Sequence, residues 1–138
     1  MPFTQYLDKT LINLVFNDTS YTPPADLYLA LSTTTPNQVQ GSSPYWNFTE
    51  PSGNGYERVS VANNSSNFQT STGGTSNNLN TINFPTATGS WGTVTYFGFF
   101  DAATGGNLLC YGALNTSESI TTNNILSFAP GQITISLS

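Results

Sequence analysis

The sequence predicts one all-β domain of antiparallel strands, a β-sandwich or a barrel-like fold, with one short N-terminal α-helix. Three observations support this fold class. Short segments alternate apolar with polar residues, turn-forming Gly, Pro and Asn separate them, and an apolar stripe with helical spacing occurs once, near the N-terminus. At 138 residues the chain suits a single domain, residues 1–138. We divide it into a helical arm, residues 1–18, and a β domain, residues 25–138.

The helix is predicted over residues 3–17. Ile12 and Phe16 widen its apolar stripe, and Thr4 is expected to cap its start. The stripe itself follows the positions i, i+4, i+7 and i+8, which are Leu7, Leu11, Leu14 and Val15. A helix this short is marginal alone. It must therefore pack on its own domain or on a neighbouring subunit.

The β domain begins with Leu27–Leu31, where three leucines alternate onto one face. Val59 and Val61 are expected to face inward from the next strand. Further strands are predicted at 56–61, 81–84, 91–100, 108–114, 119–128 and 133–137. Two polar loops, residues 32–55 and 62–80, are longer than a compact domain needs, which indicates interaction surfaces.

The segment FGFFDAATGGNLLCYGAL, residues 97–114, is interpreted as a hairpin. Gly105 and Gly106 supply a positive φ at the turn, and Asp101 can accept hydrogen bonds from loop amides. No phosphate-binding glycine motif is present. The loop is therefore predicted to be a turn and not a ligand cradle. Gly98 and Gly112, inside the strands, indicate close backbone approach or an overlying aromatic ring.

Charge is unusually scarce, at 7% of residues, and the net charge is −5. Lys9 and Arg58 are the only bases, so neither nucleic acid nor an anionic membrane is an expected partner. No apolar segment approaches the length of a membrane span. A neutral polar surface costs little to desolvate in a contact, because few charges lose their water. This composition is typical of the shells of assemblies.

Catalytic groups are also scarce, since the chain has no histidine. Cys110 lies in an apolar run and is predicted to be buried and inert. Glu50 and Glu57 could in principle hydrolyse a glycoside, but Glu57 is expected to pair with Arg58 on the strand surface. Three aspartates could hold calcium but lack a loop signature: Asp18, Asp26 and Asp101. We predict no enzyme activity and no catalytic, cofactor or metal site.

Three aromatic residues interrupt the first polar loop: Tyr45, Trp46 and Phe48. They can fill the domain's own core, anchor a protein partner or stack on a sugar. Together with the helix stripe they give the candidate partner contacts, which are Leu7, Leu11, Leu14, Tyr45, Trp46 and Phe48.

The chain resembles a family of small virion structural proteins of tailed, cyanophage-like phages, which comprises capsid cement or decoration proteins and tail-fibre-like proteins. The resemblance runs from about residue 5 to the end. Its specific parts are FPTATGSWG at residues 84–92 and DAATGGNLL at residues 101–109. Residues 36–54 and 63–80 depart from it, being longer and more polar than expected.

The resemblance implies a non-enzymatic component of the virion. Our first hypothesis is a cement protein on the capsid surface that binds between major capsid protein subunits. The alternative is a tail or fibre component that mediates attachment or binds host glycans. In either role we expect a homo-oligomer, with a dimer first and a trimer second.

Overall fold

A computed structural model describes residues 3–38 and 46–136 of the chain. The helix α1 spans Gln5–Phe16. The longer strands are β1 (Asp26–Ser32), β4 (Val59–Ala62), β7 (Gly92–Phe100) and β8 (Leu108–Ile120). The short strands are β2 (Asn37–Gln38), β3 (Trp46–Asn47), β5 (Thr75–Asn77), β6 (Ile82–Asn83), β9 (Ser127–Phe128) and β10 (Thr134–Ser136). The described chain is thus mostly β with one short helix, as the sequence predicts.

All strand pairs are antiparallel, and the largest sheet has the order β4-β1-β7-β8. The short strands form the pairs β2-β3, β5-β10 and β6-β9. Within the described residues no sheet closes on itself, so the barrel-like alternative is wrong. The predicted hairpin is confirmed, because β7 and β8 pair around a turn where Gly105 and Gly106 have φ of 61° and 71°.

The main core lies on one face of the large sheet. Leu29, Leu31, Phe97 and Phe99 project from that face, where Leu29 pairs with Phe99 and Leu31 with Phe97. Residues of the two-stranded pairs and their flanks complete this core, namely Ile82, Phe84, Phe128 and Ile133. The opposite face carries a smaller cluster of Ala30, Phe100 and Leu108. Val59 and Val61 pack against the main core from β4, as predicted.

Two local predictions are wrong. The predicted strands 108–114 and 119–128 are divided differently, because β8 runs without a break from Leu108 to Ile120 and a turn separates it from β9. Thr4 occupies the N-cap position of α1 but makes no side-chain cap bond. Its hydroxyl instead donates to the carbonyls of Leu108 and Leu109, so it joins the arm to the sheet.

The strand β8 contains a large bulge opposite β7. Val94 pairs with Glu118 and Tyr96 pairs with Ala113, so Thr95 alone faces the four residues from Leu114 to Ser117. Bulges of this kind bend a strand and expose the extra residues. No helix among the described residues is long and apolar enough to cross a membrane.

Candidate functional site

The start of the arm is built into the domain. Phe3 forms an isolated bridge with Cys110, and the Thr4 amide donates to the Leu109 carbonyl at 2.8 Å. Thr4 is fully buried, and Phe3, Tyr6 and Leu7 pack against the main core. Leu7, one of the predicted partner contacts, therefore contributes to the chain's own core. The first turn of α1 is an integral part of the fold.

The end of α1 carries the largest exposed apolar side chains among the described residues. Phe16 is 83% exposed, Val15 is 68% exposed and Ile12 is 59% exposed. Leu14, a predicted partner contact, is 39% exposed, and Leu11 is half-buried. Ile12, Val15 and Phe16 lie on one side of the helix, and we call these three residues the helix patch. Its centre differs from the predicted stripe, since the tertiary fold covers the stripe's first turn and leaves the last turn uncovered.

The aromatic loop is only partly within the described residues. Tyr45 lies outside them, and Trp46 begins β3, where its backbone pairs with Gln38. Phe48 is half-buried on the smaller cluster, with its ring edge-on to Phe100 at 5.3 Å between centroids. A Cβ placed at Gly98 would lie 3.0 Å from the Phe48 ring, which confirms an aromatic over this glycine. Phe48 thus fills its own domain.

Arg58 holds together the loops beside the smaller cluster, next to Phe100. Its Nε and Nη2 donate to Glu50 at 3.0 and 2.8 Å, a bidentate ion pair. Its Nη1 donates to the carbonyls of Ala102 and Gly105, both at 2.8 Å, and its guanidinium lies 3.7 Å from the Phe100 ring centroid. The expected pairing of Arg58 with Glu57 is therefore wrong. We call these contacts the Arg58 clasp.

The clasp also bears on the glycosidase alternative. Tyr56 donates its hydroxyl to Glu50 at 2.7 Å, so both oxygens of that carboxylate are engaged. Burial raises the pKa of the Tyr56 phenol well above its usual value, and the Glu50 carboxylate adds to this rise. This arrangement closes the 101–107 turn against the chain that follows β3. It gives Glu50 a structural role.

The remaining chemical candidates are also structural. Asp101 accepts hydrogen bonds from the amide and side chain of Asn107, as predicted for a turn. Cys110 is buried, and burial raises the pKa of its thiol to about 12, which makes it a poor nucleophile. Among the described residues, no group of three or more acidic, cysteine or histidine side chains could hold a metal ion.

The fold and its exposed helix end indicate a class of protein. A small antiparallel β domain, braced by internal side-chain bonds and bearing an exposed apolar helix end, is typical of a structural domain that makes protein contacts. The comparison with family models agrees. Residues 2–136 match the family Gp80, described as podophage GP4 fiber I protein gp80, and the chain belongs to this family. The predicted phage virion structural family is thus confirmed. None of the curated proteins compared matches the chain.

Proposed function

We propose that this chain is a structural subunit of a tailed-phage virion fibre, held in the particle by protein contacts. The observation that carries the proposal is the family match over residues 2–136, whose description is a fibre protein. It favours the fibre alternative over the capsid cement hypothesis. The role needs no catalysis, which agrees with the structural use of Glu50 and Cys110.

The helix patch is the proposed contact, and a second copy of this chain is its proposed occupant. Its three side chains expose on the order of 400 Å² of largely apolar area, within the range of the largest patch that a monomer leaves uncovered. A stable interface buries about 800 Å² on each partner. The patch can supply the centre of such an interface, and neutral side chains beside it, such as Asn13 and Asn17, can supply the rim.

Self-association is favoured by the scarcity of charge around the patch. Asp8 and Lys9, which carry opposite charges, are the only charged residues of α1, and Asp18 follows two residues after Phe16. Two copies can therefore bring their helix ends together without stripping many charges of water. A dimer is the first expectation and a trimer the second.

The assembly test uses the purified chain and measures its mass by light scattering during gel filtration. The substitution Ile12→Ser should shift the mass toward that of a monomer, as should Phe16→Ser. The matched control is Ile125→Ser, because Ile125 is 57% exposed and Ile12 is 59% exposed. A wild-type monomer at high concentration would contradict self-association through this patch. Binding of the monomer to a purified tail or major capsid protein would then identify a different occupant.

The location test images intact particles with gold-labelled antibody against the chain. Label on fibres supports the proposal. Label over the capsid surface would replace it with the cement role, and purified particles lacking the chain would refute both roles.

A further inference from the structure

The bulge of β8 opens a cleft that none of the roles above uses. The cleft has a volume of about 450 Å³ and lies between the bulge and the strands β9 and β10. Phe97 and Phe128, both nearly fully buried, form its floor. Half-buried Leu114 and Leu126 line its walls. We call it the bulge groove.

Two polar side chains that line the groove serve the fold, because Ser127 donates to Asn83 and Gln132 accepts from the Ala129 amide, but four others do not. Asn115, Thr116, Glu118 and Thr134 line it and are exposed. Within the described part of the chain, their side chains make no hydrogen bond or ion pair. They offer an amide, two hydroxyls and a carboxylate, and therefore both donors and acceptors.

Several asparagines elsewhere in the described chain use their side chains to hold loops, unlike Asn115. The Asn67 side chain donates to the Ala62 carbonyl, and that of Asn80 donates to the Ser66 carbonyl, each at 2.9 Å. The side chain of Asn78 bonds to three backbone groups. What distinguishes Asn115, Thr116, Glu118 and Thr134 is that they lie together around one cleft, and this grouping points to an external ligand.

The charge of the groove restricts the ligand. Among the described residues, Glu118 is the only charged one that lines it, and the chain's two bases, Lys9 and Arg58, are not in the lining. Phosphate, sulfate or uronate groups would therefore meet a carboxylate and no cation. Hydroxyl groups suit the lining, because amides, hydroxyls and a carboxylate can each bond to them. The apolar walls suit the C–H face of a sugar ring.

We propose that the bulge groove binds a short, uncharged saccharide. Its volume is within the usual range of ligand sites, about 300–1,000 Å³, toward the lower end. The groove is open, and its described lining has no exposed aromatic side chain, so we expect a dissociation constant on the order of 1 mM per copy. A biological use for such weak binding rests on the proposed fibre role, where many copies act together.

The test titrates the isotopically labelled full chain with maltotriose and with N,N′-diacetylchitobiose, and follows amide resonances by NMR. We expect at least one of these neutral probes to give saturable shifts, centred on Asn115, Thr116 and Glu118. The anionic comparison is 3′-sialyllactose, which should bind at least 10-fold more weakly.

Two variants separate the groove from the rest of the surface. Thr116→Ala combined with Asn115→Ala should weaken binding at least 10-fold. Thr104→Ala changes an exposed threonine on the 101–107 turn and should leave binding unchanged. Absence of saturable shifts with both neutral probes at 50-fold the expected dissociation constant would overturn the proposal. So would shifts located away from the groove, or tighter binding of sialyllactose.

The result of the saccharide titration does not depend on where the chain is located in the particle. If saccharide binds and particle imaging finds no fibre label, the fibre role fails and the groove assignment stands. If the label is on fibres and neither neutral probe binds, only the groove assignment fails.

Discussion

Removing Arg58 should destabilise the domain through the charge that it leaves behind. The proposed change is Arg58→Met, which keeps an apolar stem on the Phe100 ring while it removes the guanidinium. Glu50 then loses its bidentate partner and keeps only the Tyr56 hydroxyl. The side chain of Arg58 is 7% exposed and that of Glu50 is 25% exposed, so water replaces the lost bonds only in part.

The expected loss of unfolding free energy follows from the burial of this ion pair. Breaking a fully buried ion pair from one side costs about 3–5 kcal/mol. Since Glu50 is a quarter exposed, we expect about 2–4 kcal/mol for Arg58→Met. The carbonyls of Ala102 and Gly105 lose a donor too, but both residues reach solvent and can bind water. Glu50→Gln should cost less, because Arg58 keeps those two carbonyls.

The assay is urea unfolding followed by the fluorescence of buried Trp91. The two single variants and the double variant Arg58→Met/Glu50→Gln form a thermodynamic cycle. The double variant should be about 2 kcal/mol more stable than the sum of the single changes predicts, since no charge is left unpaired. The matched control Glu57→Gln, at an exposed carboxylate, should change stability by less than about 0.5 kcal/mol. Additivity of the two changes within about 0.5 kcal/mol would refute the clasp as a unit.

Three further predictions concern stability and use the same unfolding assay. Gly98→Ala should cost about 1–3 kcal/mol because its Cβ would lie 2.8 Å from a leucine methyl, whereas Gly73→Ala, with nothing within 4 Å, should be nearly neutral; equal effects would contradict this. Asn78→Asp should cost about 2–4 kcal/mol, since it turns a buried donor to two carbonyls into a carboxylate facing them; a neutral change would show that the amide is not needed. The buried Cys110 thiol has a pKa raised from 9.0 to about 12, so its contribution is complete below pH 9 and is lost as the pH rises toward 12. From pH 8 to pH 10 this group alone should remove about 1.4 kcal/mol of unfolding free energy, and Cys110→Ala should abolish that part of the pH dependence; an unchanged slope would contradict the assignment.

The sequence identifies most residues of the candidate surface, but it does not show which of them are exposed in the folded domain. The helical spacing identified the apolar side chains of α1, yet it could not tell that Leu7 is buried and Phe16 is 83% exposed. That difference depends on where the arm crosses β8, which the Phe3 to Cys110 bridge determines. The bulge groove gave only a faint signal, the polar run from Asn115 to Ser117, which is predicted to lie between two strands and not within one.

Local residue patterns were sufficient to specify the all-β class, the N-terminal helix, the strand at Leu27–Leu31 and the hairpin around Gly105. Side-chain alternation and the preference of glycine for positive φ act over a few neighbouring residues, so a short stretch of chain is sufficient to specify them. Tertiary structure alone decided that Arg58 pairs with Glu50 and not with its neighbour Glu57, and that the end of α1 stays uncovered. Such choices depend on which distant segments the core brings together, and the energies that select among them exist only once the layers have packed.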